Sequence, residues 1–96
     1  MIRFEWDPVK AKANERKHGI TFELASSIFH DPNLLTVADL EHSNIEERWF
    51  SIGIARNGAM LSVAYLWSDS GEGAIKIRLI SARESTRTEA RKYEEG

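Results

Sequence analysis

Two alternating segments on either side of Asn57-Gly58 constrain this 96-residue sequence more than any other feature. Every second residue is apolar in residues 50–54, and the same alternation returns in residues 61–67. A period of two places neighbouring side chains on opposite faces of a strand, and Asn-Gly tolerates the positive φ angles of a tight turn. The two segments therefore predict an antiparallel hairpin at the centre of the fold.

Three further segments, residues 2–6, 34–38 and 75–81, have strand character, whereas residues 68–73 have the composition of a loop. We expect one face of the sheet to be aliphatic and to carry the helices. The other face should present small and basic side chains that leave room for an anion. These are Ser51, Gly53, Ser62, Ala64, Lys76 and Arg78.

Capping residues predict two short helices near the N-terminus. The first begins after Asp7-Pro8 and ends at Gly19, because proline suits the first helical position and glycine the left-handed stop. Its narrow apolar edge consists of Val9 and Ala13. The second helix covers residues 21–30 and ends before a proline. Together the two helices predict a helical hairpin.

A third helix is predicted near the C-terminus. Ser81-Ala82-Arg83-Glu84 matches a capping box, so the helix should begin there and continue to about Tyr93. On that helix Arg83, Arg87 and Arg91 would form one stripe, because they are spaced four residues apart. The stripe suits a phosphate track or a socket for an acidic partner; an ordinary solvated face, neutralised by nearby glutamates, fits the pattern equally well.

The element order predicts an α+β fold with a small, mostly antiparallel sheet, an N-terminal helical hairpin and a C-terminal helix. The length predicts a single domain over residues 1–96. The chain contains no cysteine, which excludes disulfides, thiolate metal sites and cysteine nucleophiles. A core without disulfides fits a reducing cytoplasm, and the short apolar runs predict no membrane span.

Charge is unevenly distributed along the chain. The net charge is −2, but residues 75–92 carry six basic and two acidic residues, so this region is +4 and the rest of the chain is −6. A basic region on an acidic body can hold a phosphate-rich ligand on one face.

Residues 42–48 combine an imidazole, carboxylates and a guanidinium within one polar segment. RNA cleavage without a metal needs a base, an acid and a cation that stabilises the charged phosphorane, and His42, Glu46 and Arg48 supply such groups. An ordinary charged loop is the alternative. A metal site through His42 and Glu46 is a third interpretation, although zinc sites usually need three or four converging ligands.

Several short motifs occur together and in order. They are Phe4-Glu5-Trp6-Asp7-Pro8, Lys17-His18-Gly19-Ile20, Phe29-x-Asp31-Pro32, His42-Ser43-x-x-Glu46-x-Arg48, Ile77-Arg78-x-Ile80-Ser81-Ala82-Arg83 and Thr86-Arg87-x-Glu89. With these motifs the chain resembles the BrnT toxins. The resemblance implies a RelE-like fold and a type II toxin–antitoxin module. It also implies RNA cleavage and a BrnA-like ribbon–helix–helix antitoxin, through which alone the toxin would reach DNA.

Residues and resemblance together predict a cytoplasmic ribonuclease toxin that inhibits translation and needs no cofactor or metal. The expected catalytic residues are His42, Glu46, Arg48 and Arg83. The expected substrate-binding residues are Arg78, Lys76, Trp49, Arg87 and Tyr93. Which of His42 and Glu46 is the base stays open. The alternative is a non-catalytic interaction module that docks an acidic partner through the C-terminal arginine stripe.

Overall fold

The computed structural model describes residues 2–38, 48–71 and 73–96 of the chain. In chain order the elements are β1 (Ile2–Glu5), α1 (Pro8–His18), α2 (Phe22–Ser26), a 3-10 turn (Ser27–His30), β2 (Leu35–Ala38), β3 (Arg48–Ile54), β4 (Met60–Gly71), β5 (Ala74–Glu84) and α3 (Arg87–Glu95). The predicted α+β class is confirmed. In the ranges described, none of the helices has the length and apolar character needed to cross a membrane.

The five strands form one sheet in the order β1-β5-β4-β3-β2. Three pairings are antiparallel, but β1 runs parallel to β5, so the sheet is mixed. The predicted turn at Asn57-Gly58 joins β3 to β4. Gly58 has φ 89°, and the Ala55 N–H donates to the Ala59 carbonyl at 2.8 Å.

Strands β4 and β5 extend well beyond their predicted ends. Residues 68–73, expected as a loop, largely continue the sheet, because Ser68 and Asp69 pair with β5 and Gly71 pairs with Ala74. Gly71 and Gly73 both have positive φ angles, which suits a tight reversal that a longer loop does not need. The polar residues Ser68 and Asp69 therefore belong to an exposed strand end.

A β-bulge interrupts the pairing of β4 with β5. Tyr65 lies opposite Leu79 and Ala64 lies opposite Ser81, so Ile80 is an extra residue in β5. Such a residue shifts the alternation of side chains along the strand. The strand then continues to Glu84, and the helix predicted to begin near Ala82 is wrong at its start.

We call the face of the sheet that lies beneath α1, α2 and the 3-10 turn the first face, and the main core lies on this face. Its buried residues are Ile20, Phe22, Ala25, Ile28, Ala55, Leu61, Val63, Tyr65, Ile77, Leu79 and Ala82. Apolar area of this extent is the main source of folding free energy.

Helix α1 docks on this core through a polar residue. The Asn14 amide donates to the Ile20 and Ala82 carbonyls at 3.0 and 2.8 Å, and its oxygen accepts from the Ala82 N–H at 3.0 Å. The two bonds to Ala82 satisfy backbone groups of β5 beyond Arg78, the last residue that pairs with β1. The expected edge of Val9 and Ala13 is wrong, since both residues are exposed.

Strand β3 faces the opposite way from the prediction. Ser51 and Gly53 lie on the first face, opposite Val63 and Leu61. A Cβ on Gly53 would lie 2.8 Å from a Leu34 methyl group and 3.1 Å from the Ile28 Cβ, so any larger residue here would have to displace Leu34 and crowd Ile28.

The apolar residues of β3, among them Ile52, therefore point to the second face. Ile52 is 3% exposed although it lies outside the first core, and α3 packs against β3. Helices cover parts of both faces, so the expectation of a single helix-bearing face is wrong. Helix α3 begins with a capping box between Thr86 and Glu89.

Candidate nucleic-acid interface

Three arginines from two strands lie on the second face of the sheet. Leu66 of β4 lies between Arg48 of β3 and Arg78 of β5, and Ser62 lies opposite Arg83. Cross-strand partners share a face, and Leu66 and Ser62 are four residues apart on one strand. All three arginines therefore point to the same side.

Lys76 belongs to this group, because it lies opposite Ser68, which points to the same side of β4 as Leu66 and Ser62. We call the surface of Arg48, Lys76, Arg78 and Arg83 the basic face. Strand spacing places Arg48 and Arg78 about 10 Å apart, with Arg83 about 13 Å further along the sheet. This spacing suits an extended polyanion better than a single small anion.

Arg83 is held in a fixed orientation. Its Nη1 and Nη2 atoms donate to the two carboxylate oxygens of Glu89 at 2.7 and 2.8 Å, and Nη1 also reaches the Glu84 carbonyl at 3.3 Å. The guanidinium carbon lies 5.9 Å from the ring centre of Phe50, on the same face. Hydrogen bonds within the described residues leave the Nε and the second N–H of Nη2 available.

Glu89 binds more than Arg83. It also accepts from the Ser62 hydroxyl at 2.8 Å and from the Thr86 N–H at 2.9 Å. The Arg83 contact above all lowers the pKa of Glu89 to about 2, and raises the pKa of Arg83. Glu89 is therefore a poor proton acceptor near neutral pH. Sequence reasoning missed this pair because it placed both residues on one helix, six positions apart, where side chains do not meet.

Lys76 and Arg78 share a second carboxylate, Glu5 of β1. The nitrogen–oxygen distances are 3.9 and 3.5 Å, and the three side chains are 41–46% exposed. Exposed ion pairs of this length contribute little free energy, so a phosphate can replace Glu5 at low cost.

Tyr93 lies away from the basic face. Its hydroxyl donates to Asp31 at 2.6 Å, and Asp31 also accepts from the Ile54 and Asn33 N–H groups at 2.8 Å each. Burial alone would raise the pKa of Asp31, but these bonds outweigh it and lower the pKa, while the Asp31 contact raises the pKa of Tyr93. Tyr93 therefore anchors α3 near the end of β3, about 20 Å from Arg48 along the strand.

Trp49 departs from its expected place, whereas Arg87 lies on the C-terminal helix as expected. Trp49 lies opposite Tyr65 on the first face, where it lines an apolar groove of about 460 Å³, so its expected position among the arginines is wrong. Arg87 is the first residue of α3 and is exposed. Because Arg83 belongs to β5, the predicted three-arginine helical stripe with Arg91 does not exist.

His42 and Glu46 lie outside the described residues, so their predicted role stays a prediction. They belong to the segment that joins β2 to Arg48, and β2 is paired with β3 at this end, Ala38 opposite Trp49. No cluster of three or more metal-binding side chains occurs in the parts of the chain that the structure describes.

Comparison with known proteins identifies the family. A family model described as the ribonuclease toxin BrnT of type II toxin–antitoxin systems matches residues 6–89. The fold is similar to that of the Brucella abortus ribonuclease toxin BrnT, with a TM-score of 0.62 and 19% sequence identity, over 91% of this chain and 100% of that one. No curated protein matches the sequence.

Proposed function

Because this chain belongs to the family of BrnT ribonuclease toxins of type II toxin–antitoxin systems, we propose that it cleaves RNA on its basic face without a metal ion. Cleavage would stop translation in the cytoplasm. A BrnA-like ribbon–helix–helix antitoxin would neutralise the toxin and alone would contact DNA. The proposal includes a RelE-like arrangement, with RNA bound on the sheet.

The strand register is the observation that supports this proposal. It brings Arg48, Arg78 and Arg83 to one side of the sheet, although the chain as a whole is acidic. Guanidinium groups bind phosphate with two parallel N–H bonds, and a basic surface attracts RNA from solution. The non-catalytic alternative depended on a helical stripe of three arginines, of which Arg83 lies on strand β5 and only Arg87 and Arg91 lie on α3.

In the proposed reaction a 2′-hydroxyl attacks the adjacent phosphorus as a base removes its proton. The bond to the 5′-oxygen then breaks, and an acid protonates this leaving group, so a 2′,3′-cyclic phosphate and a 5′-hydroxyl result. His42 and Glu46 are the candidates for the two proton transfers. Arg48 and Arg83 would stabilise the extra negative charge of the phosphorane, while Arg78 and Lys76 bind the flanking chain.

Cleavage of a labelled RNA in EDTA tests the proposal. We expect cleavage to persist in EDTA. Arg48→Ala and Arg83→Ala should each lower the rate by about 100-fold, the size of effect seen when one charge-stabilising donor is lost. Arg91→Ala removes the same charge from an exposed position on α3 and should leave the rate within about twofold.

Two results would contradict the proposal. Loss of cleavage in EDTA would indicate a metal hydrolase. Wild-type rates in both the Arg48 and Arg83 variants would place the site elsewhere on the molecule. His42→Ala and Glu46→Ala extend the same assay to the proton-transfer groups, and each should lower the rate while the far-ultraviolet circular dichroism stays unchanged.

A further inference from the structure

The contact between Arg83 and Glu89 joins strand β5 to helix α3 at the edge of the basic face. Glu89 binds both terminal nitrogens of the guanidinium, and the Phe50 ring lies against it. An arginine side chain on a surface normally samples many rotamers, and fixing it costs conformational entropy. In this protein the Arg83 side chain is already ordered in the folded state, before any RNA binds.

We propose that Glu89 is a positioning residue for RNA cleavage, because it orients the Arg83 guanidinium so that the Nε and outer Nη2 N–H groups are available to a phosphate. This inference rests on the proposed function, since it requires Arg83 to contact RNA. These two N–H groups form the side-on fork that matches two phosphate oxygens.

A competing interpretation makes Glu89 an inhibitor that occupies Arg83 until RNA displaces it. The surroundings of Glu89 argue against displacement. Its carboxylate accepts from Ser62 and Thr86 as well as from Arg83, and it is 18% exposed. Moving it away would break the capping box of α3 and leave the Ser62 hydroxyl with one acceptor fewer.

The two interpretations predict opposite signs for Glu89→Gln. The substitution removes a negative charge next to a basic face, so electrostatics alone should improve RNA binding and cleavage. If Glu89 positions Arg83, the rate should fall instead, because an amide offers one acceptor and its N–H₂ group opposes Nη2.

The experiment is single-turnover cleavage of a 5′-fluorescein-labelled, single-stranded RNA of mixed sequence, with purified protein in excess. We expect Glu89→Gln to lower the cleavage rate constant about 10- to 100-fold, the range for a misplaced catalytic group. The dissociation constant of the RNA should change by less than about threefold. Arg83→Ala should lower the rate further, and Arg83→Ala/Glu89→Gln should match Arg83→Ala alone.

Two control variants separate charge and helix capping from positioning. Glu84→Gln removes the same charge from the residue next to Arg83, on the other face of β5, and should leave the rate unchanged. Thr86→Ala removes the other half of the capping box and should lower the melting temperature without lowering the rate. Arg83→Lys keeps the charge and the carboxylate, but cannot make the two-nitrogen contact, so its rate should fall as in Glu89→Gln.

An unchanged or higher rate in Glu89→Gln, or a wild-type rate in Arg83→Lys, would overturn the inference. So would an additional loss when Glu89→Gln is combined with Arg83→Ala, because that result indicates a purely structural role. These failures leave the proposed function intact if Arg83→Ala is impaired. A wild-type rate in Arg83→Ala instead rejects the role of Arg83 in the proposed function, and the positioning role with it.

Discussion

Glu89 and Glu5 each bind basic residues on the same side of the sheet, yet the two contacts differ in exposure, in distance and in the number of further hydrogen bonds. Glu89 is 18% exposed, binds Arg83 at 2.7 and 2.8 Å and accepts two further bonds. Glu5 is 41% exposed and approaches Lys76 and Arg78 only to 3.9 and 3.5 Å.

This difference separates two tasks within one surface. A shielded, saturated carboxylate fixes the direction of its arginine and stays in place. An exposed carboxylate at longer range, such as Glu5, only partly offsets the charge of Lys76 and Arg78, and a phosphate group can displace it. Besides Arg48, the basic face therefore combines one oriented cation, Arg83, with two cations whose carboxylate partner can be displaced, Lys76 and Arg78.

The largest expected effect is a loss of folding stability in acid, where Glu89 becomes protonated and its contact with Arg83 is lost. The folded-state pKa of Glu89, about 2, lies below its ordinary value of 4.5. A lowered pKa stabilises the fold fully above the unfolded-state pKa, and the stabilisation is lost as the pH falls from about 4.5 to about 2. We expect a loss of about 3 kcal/mol from this group, measured by urea unfolding across that range.

Glu89→Gln is the control for this prediction, because Asp31 also has a lowered pKa and contributes over a similar range. The stability difference between the wild type and Glu89→Gln should be large at pH 7 and should close by about pH 2. A difference that does not vary with pH would show that the charge of Glu89 contributes nothing to the contact.

Tyr93→Phe tests whether the far end of α3 shares the role of Glu89. The substitution removes the 2.6 Å bond to Asp31 but leaves the two backbone bonds of that carboxylate. We expect a loss of about 1–2 kcal/mol in urea unfolding and a cleavage rate within about twofold of the wild type. A fall in rate as large as that of Glu89→Gln would mean that the whole helix orients Arg83.

Glu5→Gln should have the smallest effect and the opposite sign. Removing this carboxylate leaves Lys76 and Arg78 without a competing anion, so RNA affinity should rise about two- to threefold at low salt. Fluorescence anisotropy with the labelled RNA measures the change, and added salt should reduce it. Glu84→Gln, with equal charge on the other face, should have less effect; lower affinity in Glu5→Gln would contradict the comparison.

The alternation around Asn57-Gly58 and the caps of α1 were sufficient to predict the central hairpin and the first helix. Those signals are local, so they need no knowledge of distant neighbours. The positions of Arg78 and Lys76 on an open face also followed from alternation alone.

Strand β3 shows where local alternation fails. Its apolar residues were assigned to the helix-bearing face, but Ile52 is buried on the second face and α3 packs against β3, so both sides of the strand are partly buried. Gly53 faces the first core because Leu34 and Ile28 approach its backbone closely. Contacts between residues about 20 positions apart cannot be inferred from a period of two.

Arg83 was placed on a helix because two similar capping patterns follow each other. Ser81-Ala82-Arg83-Glu84 has the serine and glutamate of a capping box, but the true box lies five residues later, at Thr86 and Glu89. The bulge at Ile80 also hid the end of β5, since it breaks the alternation. The arginine–glutamate contact was consequently invisible from sequence.

The extra residue Ile80 determines which spacing between Arg78 and Arg83 places both side chains on the same face of the sheet. Arg78 and Arg83 are an odd number of positions apart, which in a regular strand would send them to opposite sides of the sheet. Straightening the bulge without shortening the strand would turn Arg83 toward the protein interior or Arg78 away from its neighbours, even if every arginine were kept. Among aligned sequences that keep both arginines, an odd spacing therefore requires a bulge and an even spacing requires a regular strand, because an odd spacing without a bulge would divide the basic face.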